Sequence, residues 1–287
     1  MTSGPTAATG WVALLGDPVG HSASPAIHNA AFQALGLDLV YLACRVERGR
    51  LAAALEGMHA LGALGANVTI PHKTEALALA ESATERAQTL GAANTLVRTA
   101  SGWQADNTDV EGFLAPLNDH LPKIEGQNVV VLGAGGAARA VVYAALRHLA
   151  PRRVTVAARR PEQAERLLDD LAPTAGAVDV EALPIGQAQS AVQNAALLVN
   201  ATPIGMGDGA TPWPHADNFH PGQIVYDLIY RPLRTPLLQA AERQGATTIE
   251  GLPMLIAQAA GGFRQWTGRD LPADVAYQAA LDALHLR

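Results

Sequence analysis

Short apolar runs alternate with stretches of helical periodicity along most of the chain. Residues 11–16 (WVALLG) read as a strand. Ser24-Pro25 then opens a helix to about residue 35, with serine at the cap and proline at the first helical position. Residues 39–46 predict a second strand, 50–61 a helix and 66–70 a third strand. Helical patterns follow over 73–80 and 84–90, and 94–98 with 103–105 make a hairpin through Ser101-Gly102. Strands separated by helices predict a mainly parallel sheet.

A second alternating unit starts near Gln127. NVVVL at 128–132 is an unbroken apolar run of the kind buried on both faces of a sheet. Gly133 begins a turn, and a helix rich in Ala, Val and Leu runs to about 149. Strands at 154–157, 197–200 and 224–227 follow, with helices at 162–171 and 235–244. Past Ile249 the pattern changes to two helices, 252–266 and 273–284, and composition does not say which domain they cover. There is no repeat at a solenoid period. The fold class is α/β.

Composition narrows the function. At 287 residues there is room for two domains, and 49% hydrophobic with 16% charged residues suits a protein with a sizeable core. A net charge of -6 argues against nucleic acid, which asks for a basic stripe, but permits a small acidic substrate in a local pocket. Cys44 is the only cysteine, so no intramolecular disulfide and no cysteine-based zinc cluster can form, and core packing is its expected role. No metal site is expected. MTSGPTAATG has neither a basic start nor an apolar run; it reads as a loose tail rather than a signal peptide. No apolar stretch is long enough to span a bilayer. The expected setting is soluble and cytoplasmic.

Two clusters carry candidate chemistry. Gly133-Ala134-Gly135-Gly136-Ala137-Ala138 fits G-x-G-x-x-A between a buried strand and a helix. Glycines there let the backbone turn tightly and a pyrophosphate approach the helix N-terminus. The next strand ends Ala157-Ala158-Arg159-Arg160-Pro161, with no carboxylate before Glu162. An NAD ribose wants an acid at that strand end, whereas a 2′-phosphate wants arginine, so NADP is the expected cofactor. The second cluster is polar residues where a sheet prefers apolar ones. His21-Ser22-Ala23-Ser24-Pro25 follows the first strand, and Asn67 and Thr69 lie within the third, on one face by two-residue spacing. Pro71-His72-Lys73 comes next, Asn94 follows Gly91-Ala92-Ala93, and Asp106-Asn107-Thr108-Asp109 closes the hairpin. Ser24 could be just a helix cap, Asn94 a turn residue and Asp109 a cap; that does not explain their convergence at the carboxyl ends of strands. Eighteen of twenty basic residues are arginine, the lysines being Lys73 and Lys123. An amine can release its proton where a guanidinium cannot, which singles out Lys73. Lys123 reads as a solvated residue.

GDPVGHSASPAIHN, GANVTIPHK, GAANT, DNTD, LGAGGAAR, NATPIGM, DLIYRPLRTPLL and GLPMLIAQAA occur in the order found in the shikimate dehydrogenase family, and the chain resembles it from about Leu15 to about Trp266. The resemblance implies NADPH-dependent reduction of 3-dehydroshikimate to shikimate. It implies a substrate domain at 1–109, to which 252–287 return, and an NADP-binding Rossmann domain at 110–251. Carried over by position, the substrate-carboxylate hydroxyls fall on Ser22 and Ser24. The polar ring around the substrate hydroxyls falls on Asn67, Thr69, Asn94 and Gln258, with Tyr230 near the substrate. The catalytic pair falls on Lys73 and Asp109. The dinucleotide loop falls on Gly133, Ala134, Gly135, Gly136 and Ala137, with Arg159 and Arg160 beyond it. Ala201, Thr202 and Met206 fall on the nicotinamide side, and Gly251 and Met254 also on the cofactor side. The chain departs from the family's frequent Asn-Arg-Thr with a later Arg, reading Ala158, Arg159, Arg160 and Gln163, and has Pro253 for a frequent glycine. His72 varies in the family and reads as structural. The expected partner is a small molecule, in a monomer or homodimer. A quinate/shikimate dehydrogenase preferring NAD is the nearest alternative. A regulatory protein without turnover sits poorly with Lys73 and Asp109, and a folate dehydrogenase would not account for HSASP and NVTIPHK together.

Overall fold

The computed structural model describes residues 4–207, 209–215 and 218–285. The chain forms two compact units: one runs to Thr108 and resumes at Ile256, and the other is Asp109–Leu255.

The first unit opens with β1 (Gly10–Gly16), α1 (Ser24–Ala34), β2 (Leu39–Arg45), α2 (Leu51–Ala60) and β3 (Gly65–Val68). It continues through α3 (Lys73–Leu79), β4 (Ser82–Ala83), α4 (Glu85–Leu90), β5 (Thr95–Arg98) and β6 (Trp103–Asp106). The strands lie in the order β2-β1-β3-β5-β6-β4. β1 pairs in parallel with both β2 and β3, while β5 runs antiparallel to β3 and β6. Val12, Ala13, Leu14 and Leu15 of β1 are all buried, as a central strand covered on both faces requires. Leu51, Leu55 and Met58 of α2 close one side over Leu15, Val68 and Leu96. Since β2 and β3 flank β1, the chain leaves the carboxyl ends of β1 and β3 at a reversal of strand order, where open α/β sheets bind ligands.

The second unit opens with α5 (Asp109–Leu114) and α6 (Leu121–Ile124), then β7 (Asn128–Leu132), α7 (Gly136–Ala144) and β8 (Arg153–Ala158). It goes on through α8 (Pro161–Ala175), β9 (Asp179–Pro184), α9 (Gln189–Gln193) and β10 (Leu197–Asn200). β11 (Ile224–Asp227), α10 (Pro236–Arg243) and β12 (Thr247–Ile249) complete the sheet. Its order is β12-β11-β10-β7-β8-β9, every pairing parallel. That is the doubly wound Rossmann arrangement, with its reversal between β7 and β10. α11 (Gly251–Thr267) starts in this unit and ends in the first, where α12 (Ala273–His285) packs along α1.

Several sequence expectations need correction. β3 ends at Val68, so Thr69 lies just outside the strand, although its N–H still donates to Leu15 O at 2.9 Å. Ser24 is the first residue of α1 rather than its cap; Ala23 holds the cap position, with no side-chain bond there. The N-terminal segment is tied down from Thr6, which hydrogen-bonds Thr9, and Thr9 Oγ1 donates to Asp38. β4, β9 and β12 and helices α6 and α9 went unread, while α5 was expected as the helix Asp109 caps and in fact begins with Asp109. The unread elements are short, and β9 keeps much of its surface exposed, so no apolar run marks it.

Candidate active site

At the carboxyl end of β1 the Ser22 and Ser24 hydroxyls lie 3.1 Å apart, Ser22 donating, and Ser24 N donates to Ser22 Oγ at 3.2 Å. Two adjacent hydroxyls suit the two oxygens of a carboxylate. Burial pushes the buried Tyr41 phenol up, and the influence of Ser24 only partly opposes this, so the hydroxyl stays protonated. It donates to Asn67 Oδ1 at 2.8 Å.

Asn67 in turn donates both amide hydrogens, to Asn94 O at 3.1 Å and Thr95 Oγ1 at 3.2 Å. What its side chain can still offer a ligand is acceptor capacity on Oδ1. Asn94 Oδ1 accepts from Thr108 N at 2.8 Å, Thr95 Oγ1 at 3.0 Å and Thr108 Oγ1 at 3.2 Å. Asn67, Asn94, Thr95 and Thr108 are buried. The unit thus holds donors and acceptors in fixed positions before any ligand arrives. Beneath Tyr41 lies His28, its ring stacked at 4.4 Å and both nitrogens unpartnered among the described residues. Burial lowers His28 to about 3, so it is a neutral packing ring.

Lys73 begins α3 just past the end of β3 and is half-buried; its carbonyl accepts from Ala93 N at 2.8 Å. His72 beside it is buried, with Nε2 2.6 Å from Val46 O. A carbonyl only accepts, so Nε2 carries the proton, and the imidazole ties the start of α3 to the chain after β2. That is a structural role.

Asp106 closes β6 as a buried hub. Its carboxylate accepts from Arg86 Nε at 2.6 Å and Nη2 at 2.5 Å, Thr84 Oγ1 at 2.7 Å, Asn107 N at 2.7 Å and Gln265 Nε2 at 2.7 Å. Burial raises its carboxyl, but the Arg86 and Thr84 bonds prevail and hold it below the usual range. The sequence marks Asp106 only as the start of the polar run Asp106-Asn107-Thr108-Asp109, and nothing in it marks the partners Thr84, Arg86 and Gln265.

In the second unit the turn after β7 carries Gly133 at φ +105°, a conformation only glycine adopts readily. A Cβ there would stand 2.9 Å from Thr202 Cγ2 and 3.2 Å from Ala201 O, so the turn presses against the chain leaving β10. At Gly135 and Gly136 a Cβ would meet nothing within 4 Å among the described residues. α7 starts there without a side-chain cap, leaving its first N–H groups for an anion. Arg159 and Arg160 are exposed at the end of β8. Open space over the turn, uncapped N–H groups and two guanidiniums fit a dinucleotide with a 2′-phosphate.

The loop at 201–206 is held from below. Asn200 Oδ1 accepts from Thr202 N at 3.0 Å and Thr202 Oγ1 at 2.7 Å, and Asn200 Nδ2 donates to Asp227 Oδ1 at 2.8 Å. Asp227 is buried and also accepts from Ile229 N and Thr235 Oγ1. No cation faces it in those bonds, and burial raises its carboxyl. Met206 is exposed, and Tyr230 is half-buried with its phenol raised by burial. Gly251 begins α11 where a Cβ would stand 2.4 Å from Leu228 O, so only glycine fits. Met254 is buried in that helix's first turns. Asp109 is the first residue of α5 and half-buried; Gln258 is half-buried in α11. Each unit therefore gathers its own predicted residues: Ser22, Ser24, Asn67, Thr69, Asn94 and Lys73 follow β1, β3 and the turn before β5, while Gly133–Ala137 with Ala201 and Thr202 sit at the β7/β10 reversal. Sequence reasoning missed Tyr41, Thr95 and Asp227, which act through bonds made across the sheets.

A dinucleotide-type sheet joined to a second α/β unit bearing a lysine and a polar ring defines a two-domain NADP-type oxidoreductase. Three family descriptions match in order: shikimate dehydrogenase substrate binding domain over residues 14–96, shikimate/quinate 5-dehydrogenase over 117–204, and shikimate 5′-dehydrogenase C-terminal domain over 251–281. The shikimate dehydrogenase (NADP+) of Salinibacter ruber is 48% identical over 279 residues, covering 95% of this chain and 97% of that protein. Shikimate 5-dehydrogenase from Thermus thermophilus, solved with NADP(H) and shikimate, has a TM-score of 0.84 at 36% identity, covering 96% of this chain and 100% of that one. Quinate dehydrogenase from Corynebacterium glutamicum, solved with NAD, has a TM-score of 0.88 at 31% identity, covering 96% and 99%. The chain belongs to the shikimate dehydrogenase family.

Proposed function

We propose that the chain catalyses the reversible NADPH-dependent reduction of 3-dehydroshikimate to shikimate. The observation that carries this reading is the paired Ser22–Ser24 hydroxyls together with the Tyr41–Asn67–Asn94 hydrogen-bond chain, polar groups held at the strand ends that precede Lys73. A small carboxylate bearing hydroxyl groups matches those groups. Ser22 and Ser24 would take the carboxylate, and Asn67, Thr69, Asn94, Tyr230 and Gln258 the hydroxyl side. The reaction is proposed to run in the cytoplasm, in a monomer or homodimer with no nucleic-acid partner.

Gly133, Ala134, Gly135, Gly136 and Ala137 would hold the pyrophosphate, Arg159 and Arg160 the 2′-phosphate, and Ala201, Thr202, Met206, Gly251 and Met254 the nicotinamide side. When bound, NADPH supplies the hydride. Lys73 Nζ hydrogen-bonds the substrate carbonyl oxygen, draws electron density onto it, and delivers the proton that oxygen needs once reduced. Asp109 accepts from the neighbouring substrate hydroxyl and keeps the carbonyl facing the ammonium. In the oxidative direction the same groups run backwards, Lys73 taking the hydroxyl proton.

Lys73→Ala should lower turnover by ~10²-fold or more, the usual contribution of a proton-transfer group, with the KM for shikimate moving much less. Near-normal turnover in that variant would remove Lys73 from the mechanism. The similarity to a quinate dehydrogenase solved with NAD keeps a second reading, in which quinate and NAD are used as well.

A further inference from the structure

Helix α11 carries Gln258, Gly262 and Gln265 at i, i+4 and i+7, which places them along one face over about 10 Å. Three observations fix that face against the first unit's sheet. Gln265 Nε2 donates to Asp106 Oδ2 at 2.7 Å, the hub already anchored by Arg86 and Thr84. Trp266 Nε1 donates to Leu96 O at 3.0 Å across β5. Gly65 of β3 makes the room for that ring, since a Cβ there would stand 2.1 Å from Trp266 Nε1. At Gly262, four residues before Trp266 in the same helix, a Cβ would lie 3.0 Å from Trp266 Cη2 and 3.4 Å from Asn67 Nδ2, so glycine leaves room for the indole and the helix passes beside the Asn67 amide.

Gln265 has no need to be glutamine for folding alone. It is exposed at the helix surface, and Asp106 keeps its arginine, threonine and main-chain partners without it. What the bond adds is a fixed distance between the end of β6 and a helix face that also carries Gln258 two turns earlier. We propose that Gln265, with Trp266 beside it, is a positioning residue that sets the reach of Gln258 towards the substrate. This rests on the reading of Gln258 as a substrate contact. The Asp106 hub, the indole and the room at Gly65 act as stops that hold α11 against the sheet. Loss of a stop lets the helix relax by tenths of an ångström, enough to lengthen a substrate hydrogen bond without unfolding the unit.

The test is a double-mutant cycle in the full chain, read as KM for shikimate, kcat and KM for NADP. Q265M keeps the length of the side chain and removes the bond; W266F keeps the ring over Gly65 and removes the indole N–H. Either should raise the KM for shikimate about three- to tenfold, the range of coupling between residues that share a network, with kcat and the KM for NADP unmoved. In a Q258A background the same changes should have no further effect. A purely structural role would lower the folded fraction and leave the KM of the surviving enzyme alone. Unchanged KM in both Q265M and W266F, or effects that multiply with that of Q258A, would overturn the proposal while leaving Gln258 a substrate contact. Q258A with a normal KM would overturn that contact and the proposal together.

Discussion

In the unit that ends at Thr108 and resumes at Ile256, the groups proposed to meet the substrate are side chains, each fixed by another side chain. Tyr41 holds Asn67, Thr95 and Thr108 hold Asn94, and Ser22 holds Ser24. In the unit Asp109–Leu255 they are mainly main-chain N–H groups at a turn shaped by glycine, with two exposed arginines beyond it. Among the described residues each unit also buries an aspartate, and the two differ in their partners. Asp106 has Arg86 and further neutral donors and sits below the usual carboxyl range; Asp227 has only neutral donors and sits above it. A cation offsets the desolvation of a carboxylate where amides and hydroxyls do not. Side-chain identity therefore governs the first unit, and backbone shape with peripheral charge the second.

The largest expected effect breaks the first unit's hub. Asp106→Asn takes away the charge that the Arg86 guanidinium grips with two bonds and should cost about 3 kcal/mol in denaturant unfolding. Next come the arginines. Changing both Arg159 and Arg160 to alanine removes charge-assisted hydrogen bonds and should raise the KM for NADP about thirtyfold or more, with weak NAD activity unmoved. An unchanged KM for NADP would mean that the phosphate is met elsewhere.

How far these contrasts were legible beforehand differs by unit too. The parallel strands at 128–132, 197–200 and 224–227 match β7, β10 and β11 at both ends, because strands buried on both faces leave unbroken apolar runs. The exposed edge strand β9 left no such trace. Asn67 stood out as a polar residue in a buried strand, but its partners could not. Thr95 lies opposite both Asn67 and Asp106 across β3, β5 and β6, a register made by antiparallel pairing that no local pattern encodes. The Asn200–Asp227 bond arises likewise, from residues aligned across β10 and β11.

The smallest effect, and the sharpest in sign, is the pH dependence of the two aspartates. A carboxyl lowered in the folded state stabilises above its unfolded value, near 3.8, and that stability is lost as the pH falls through the folded value. A raised carboxyl favours the folded state most below its unfolded value and loses that advantage as the pH rises through the folded value. Asp227→Asn should therefore shift stability by about 1 kcal/mol or less at neutral pH. Wild-type stability relative to that variant should rise on acidification, while the gap between wild type and Asp106→Asn closes below about pH 4. Curves of the same sign for both variants would erase the distinction between the two sites.

The central claim is tested most directly by initial rates for shikimate and quinate, each with NADP and with NAD. Shikimate with NADP should exceed every other combination in kcat/KM by at least about tenfold, as differential recognition of a 2′-phosphate and of a fixed hydroxyl pattern requires. Equal efficiency with NAD, a preference for quinate, or no turnover of shikimate with NADP would contradict it.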